Sequence, residues 1–93
     1  MMTDPSSTVH RLRHTLDQLD QGALRPDVVC ARFRVATLDW PSLPNRFGTV
    51  LERLLQPLDV AVMLGDESCS YSRAEVVQAL RDWLDHAERL PRH

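Results

Sequence analysis

The stretch from Ser72 to about Leu90, SRAEVVQALRDWLDHAERL, leaves this chain the fewest choices. Ser72 with Glu75 three residues on is a capping-box signature, in which each side chain satisfies a backbone N–H that the first helical turn leaves free. Behind it Val76, Val77, Leu80, Trp83, Leu84, Ala87 and Leu90 recur at the three-and-four spacing of a single apolar stripe. Arg81, Asp82, Asp85, Glu88 and Arg89 fall on the other side, with Asp85 spaced to pair with Arg89 one turn on. Pro91 forbids continuation. A helix of this length draws most of its stability from what it packs against. The rest of the chain must therefore supply a cover for that stripe.

Three further segments have the right pattern. Asp4-Pro5 places a capping acid before a proline at the first helical position, and Val9, Leu12, Leu16 and Leu19 then mark one face up to a stop at Gly22. Asn45 caps a segment in which Phe47, Val50, Leu51, Leu54, Leu55 and Leu58 form the cleanest stripe of the chain, with Pro57 expected to kink or end it. Gly48 in its first turn costs about 1 kcal/mol relative to alanine. The residues that follow, DVAVML from Asp59 to Leu64, suit a further helical turn better than a strand, since no convincing strand exists to pair with them.

The segment after Arg25-Pro26-Asp27 has two apolar sets at helical spacing: Leu24, Val28, Ala31, Val35 and Leu38, and beside them Val29, Phe33 and Ala36. It also alternates, with Arg32 and Arg34 between Ala31, Phe33 and Val35, as an edge strand would. The early proline and the length of the run favour a helix. Pro41 and Pro44 hold the connection after Asp39 extended. Four or five helices with short joins predict a compact antiparallel all-α bundle, one domain over residues 1–93 with flexible ends at about 1–4 and 91–93.

Composition narrows the function by exclusion. A net charge of −2 gives no general attraction to nucleic acid or to an anionic membrane. No window approaches the roughly 18 apolar residues of a membrane span, and the first residues lack the apolar region of a secretory signal, so a cytoplasmic location is expected. All eleven basic residues are arginine, and lysine and isoleucine are absent, as in a GC-rich, bacterial coding sequence. Cys30 and Cys69 match no metal or redox spacing; two reduced thiols are expected, with a disulfide as the alternative were the protein exported.

Catalytic constellations are missing from the pattern. His10 and His14 lie one turn apart but point away from the first apolar face, so two solvated histidines are expected and no metal site. Gly22, Gly48 and Gly65 are isolated and build no phosphate loop. No enzyme and no cofactor are expected. The expectation is a protein that works by binding another protein, a second copy of itself included, as an adaptor or accessory subunit. A thiol- or metal-dependent sensor built on Cys30, Cys69 and the histidines is the third alternative.

Two sets of residues are candidate contacts. Trp40, bracketed by prolines, either plugs the end of the bundle or stands exposed as an interface anchor, with Phe33 and its flanking arginines beside it. The second set is acidic. Between Leu54 and Leu90 there are seven acids against three arginines, and Asp59, Asp66, Glu67, Asp82 and Asp85 are the members singled out as a surface for a basic partner.

The order LDQLDQGALRPDVVCARF, then RFGTVLERLLQPLDVAV, then an acidic loop and SRAEVVQALRDWL resembles small bacteriocin-immunity proteins of the colicin D type, over about residues 12 to 84. The resemblance implies an acidic four-helix bundle that binds and blocks a basic toxin nuclease. Asp59, Asp66, Glu67 and the acids of the last helix would then face the toxin.

Overall fold

The computed structural model describes residues 5–64 and 72–90. Four helices carry the fold: α1 (Pro5–Asp20), α2 (Pro26–Leu38), α3 (Asn45–Leu64) and α4 (Arg73–Glu88). Among the described residues they form a ring in chain order, each packed on the next and α4 closing on α1, with no close backbone approach across either diagonal. Ion pairs fix the relative direction of two neighbours. Arg13 reaches Asp85 and Asp17 reaches Arg81, so α1 and α4 run antiparallel.

The helix ends follow the local chemistry. α1 begins at Pro5, where a proline loses no hydrogen bond; the capping role expected of Asp4 falls outside the described residues. Its last turn closes in a Schellman arrangement, with Ala23 N–H donating to the Gln18 carbonyl and Gly22 N–H to that of Leu19. Gly22 is left-handed at φ 76°, and an added Cβ there would also press on Arg73 at 3.2 Å. Ser72 caps α4 by accepting from Glu75 N–H at 3.3 Å. Asn45 is the first residue of α3.

Pro57 neither ends α3 nor starts a fifth helix. The helix runs on from it through Asp59 to Leu64. Proline removes one N–H and leaves the carbonyl four residues back without its partner. That carbonyl belongs to Arg53, an exposed residue, where water can donate to it instead. On the opposite side Leu51, Leu55 and Leu58 are completely buried and fasten both halves to the core.

The core joins Val9, Leu12, Leu16 and Leu19 of α1 to those leucines and to Val76, Val77, Leu80, Leu84 and Ala87 of α4. At one end the packing becomes aromatic. Trp83 sits edge-to-face with Phe33, Trp40 and Phe47, ring centroids 6.0–6.3 Å apart. Its indole N–H donates to the Phe47 carbonyl at 3.0 Å. One side chain of α4 thereby ties down α2, the α2–α3 connection and α3. Trp40 is therefore the plug of the bundle, 6% exposed, and the exposed-anchor alternative fails. The connection turns instead of running extended, with Trp40 N–H donating to the Thr37 carbonyl at 3.2 Å and Leu43 N–H to that of Trp40 at 3.1 Å, and the indole is buried where covering its large surface is favourable.

α2 is helical throughout, which resolves the strand alternative. Its two apolar sets lie on opposite sides. Val29, Cys30 and Phe33 face the core with Ala36 partly covered beside them, whereas Ala31, Val35 and Leu38 face outward and Val28 is half-covered at the edge. Leu24 leaves the outer set, since it precedes the helix and packs against the core.

Candidate protein-binding surface

Val28, Ala31, Val35 and Leu38 follow one another at spacings of three, four and three along α2. In a helix of 3.6 residues per turn this spacing keeps all of them on one stripe. Val35 is 58% exposed and Leu38 84%. Single exposed apolar residues are ordinary. A row of them directly opposite a buried row is not, because a helix apolar on both sides is normally covered on both.

The two flanks of the stripe differ in charge. Toward α3, Arg34 serves two carboxylates, Glu52 at 3.0 Å and Asp59 at 2.7 Å. One guanidinium between two acids leaves that flank with an excess negative charge. The hydrogen bond from Arg34 holds the Asp59 carboxyl below the usual aspartate range, against the opposing effect of partial burial. The bonds to Glu52 and Asp59 raise the pKa of Arg34 in turn. Toward α1, Arg32 donates to the Thr15 hydroxyl at 3.2 Å and to Gln18 at 3.5 Å, and among the described residues it meets no carboxylate. With the exposed Arg11 nearby on α1 and Asp39 just past the end of α2, that flank has an excess of one positive charge.

Two grooves open beside this surface and on the far side of the bundle. Between α1 and α2, Thr8, Arg11, Leu12, Thr15, Val35 and Ala36 line a cleft of about 740 Å³ that is continuous with the outer stripe. The second, about 460 Å³, runs between α3 and α4 past Phe47, Val50, Leu54, Trp83 and His86. Val50 belongs to the stripe expected to be core but is left at the mouth of that groove, 45% exposed.

The residues expected to contact a partner are scattered by the fold. Phe33 is wholly buried and Trp40 nearly so, which removes both from any surface of this chain. Phe33 belongs to the inner set of α2, so its packing on Trp83 outweighs any role outside. Asp59 is engaged by Arg34. Asp85 pairs with Arg13 across the α1–α4 seam at 2.6 Å, not with Arg89 along its own helix. A neighbouring helix offers Arg13 two acids at once, since Glu88 also accepts from it at 3.0 Å, and a lone pair within α4 offers less. Asp82 is exposed and accepts from Gln78 at 3.1 Å. Asp66 and Glu67 lie outside the described residues. Asp59 on α3 and Asp82 and Asp85 on α4 share no single face: one belongs to the seam with α2 and another to the seam with α1.

The other chemistries find little purchase. Cys30 is buried, with its thiol 4.0 Å from the Leu55 carbonyl. Burial, reinforced by the Asp59 carboxylate, pushes the Cys30 thiol up to about 12. A thiol so rarely ionised at neutral pH is a poor nucleophile and a poor metal ligand. Cys69 lies outside the described residues. His10 and His14 are both exposed, and among the described residues no three His, Cys, Asp or Glu side chains gather as metal ligands. No described helix is long and apolar enough to cross a membrane.

No protein-family model, no curated protein and no solved structure matches the chain. The surface must be interpreted from its own geometry.

Sequence reasoning named every member of the outer stripe but could not tell it from core. The signal was present all the same: this segment has two apolar sets at helical spacing, and a helix in a ring of four has one inward face to fill.

Proposed function

We propose that this chain is a non-enzymatic helical protein that acts by binding another protein through the outer face of α2. One observation carries the reading: Ala31, Val35 and Leu38, with the half-covered Val28 at its edge, form an apolar row that the bundle itself leaves open, opposite a completely buried row on the same helix. Covering that row removes apolar surface from water, worth roughly 25 cal/mol per Å² before the costs of association. The adjoining α1–α2 cleft extends the surface that a partner helix or loop can fill.

The acidic-inhibitor alternative draws less support from the geometry. Asp59 and Asp85 already serve arginines of this chain, so a basic partner must compete for them. A photo-reactive amino acid at Val35, compared with one at the exposed Gln78 of α4, tests the proposal in extracts of the native host. Protein adducts concentrated at position 35 are the expected result. Equal yields at both positions would remove α2 from consideration.

A further inference from the structure

Resting on that reading, we infer that the occupant of the α2 outer face is a second copy of this chain, with the two α2 helices packed parallel about a two-fold axis that runs along them. The three-four-three spacing of Val28, Ala31, Val35 and Leu38 is the seam pattern of a two-stranded coiled coil. Ala31 in mid-seam lets the two backbones approach closely. The charge pattern selects both the partner and the direction. Arg32, with no carboxylate among the described residues, lies on the α1 side of the seam, and Arg34 with its two acids, Glu52 and Asp59, lies on the α3 side. A two-fold axis parallel to α2 brings the α1 side of one copy against the α3 side of the other. The spare cation then faces the excess acid, twice by symmetry. The flanks of the seam agree: Asp27 of one helix, which the exposed Arg25 of its own chain meets at 3.2 Å, falls beside Arg32 of the other, and Arg34 beside Asp39. An antiparallel pair sets Arg32 against Arg32 at mid-seam. One helix face offers less than the roughly 800 Å² per partner of a standard interface, so the complex is a weak, concentration-dependent dimer.

Sedimentation velocity across a dilution series of the full chain is the test. The mass should rise from 10.6 kDa toward twice that value as concentration increases. Val35→Glu, at an exposed position outside the core, should weaken association by roughly tenfold or more, with circular dichroism and the Tm of dilute solutions unchanged. Arg32→Glu should weaken it several-fold, and added salt should weaken the wild type by screening the flanks. Direction is decided by Leu38→Cys in a Cys69→Ser background. A parallel pair sets the two introduced thiols opposite each other for oxidation to a disulfide, whereas an antiparallel pair centred on the seam separates them by about 15 Å along the axis. Association indifferent to Val35→Glu or Arg32→Glu, or no cross-link at position 38 in a proven dimer, would overturn this arrangement. A monomer at every concentration would overturn the second copy alone, because adducts at position 35 with another protein would still uphold the broader reading.

Discussion

The two faces of α2 are made of the same kinds of residue and do opposite things. Val29 and Phe33 on the inner face are completely buried, while Val35 and Leu38 on the outer face stand in water. Valine sits on both sides, so residue type decides nothing here. Position decides: Phe33 meets Trp83 and through it the rest of the aromatic cluster, whereas Val35 meets only the open edge of the α1–α2 cleft. A buried side chain is held by the cavity its loss would leave. An exposed one draws no such support from the fold of its own chain. That contrast is the physical basis for treating the outer face as a contact surface.

The contrast can be broken or sharpened by substitution. The largest effect is expected on the inner face at the aromatic cluster. Phe33→Ala should lower the stability in urea unfolding by about 3–5 kcal/mol, with unchanged dependence on denaturant if the fold is retained. Next comes one substitution made on each face. Val29→Ala should cost about 2 kcal/mol from lost apolar burial and the cavity left behind. Val35→Ala, measured in dilute solution, should stay within about 0.5 kcal/mol of the wild type, since it removes exposed atoms and alanine is the better helix former. Equal costs at the two valines would mean that both faces are core.

A smaller effect is expected at the ion cluster on the α3 edge of α2. Asp59 has its pKa depressed in the folded chain. Its contribution to stability is therefore present above the unfolded aspartate pKa of about 3.9 and is lost as pH falls through the lower folded value. Asp59→Asn should flatten the acid limb of the stability curve below about pH 4. Both side chains of the pair are 40% exposed, so solvent screening keeps the change near the bottom of the range for ion pairs, about 1 kcal/mol or less. An acid limb unchanged by this substitution would show that Arg34 gains nothing from holding two carboxylates.

Most of the fold was legible in the residues because three of the four helices have one clean stripe. Val9, Leu12, Leu16 and Leu19 are all buried as their spacing requires, and so are Val76, Val77, Leu80, Trp83, Leu84 and Ala87. α2 was ambiguous for the same reason it is now of interest: apolar residues on both sides blur the helical period. Pro57 does not end α3 because the cost of one lost hydrogen bond is local, while Leu51, Leu55 and Leu58 bind the residues on both sides of it to one core. Trp40 and Asp85 were beyond reach for another reason. Both are settled by partners distant in the chain, Trp83 for one and Arg13 for the other. Local spacing carries no information about such meetings, so Asp59 and Asp85, counted with an acidic surface, are taken up by arginines in the seams between helices.

Urea unfolding of the wild type and of Val35→Glu at two protein concentrations about a hundredfold apart tests the two-faced helix most directly. In dilute solution the two proteins should share one midpoint, because the outer face contributes nothing to the fold. At high concentration the wild-type midpoint should rise by mass action and that of Val35→Glu should stay where it was. A lower midpoint for Val35→Glu in dilute solution, or a wild-type midpoint that ignores concentration, would contradict the account.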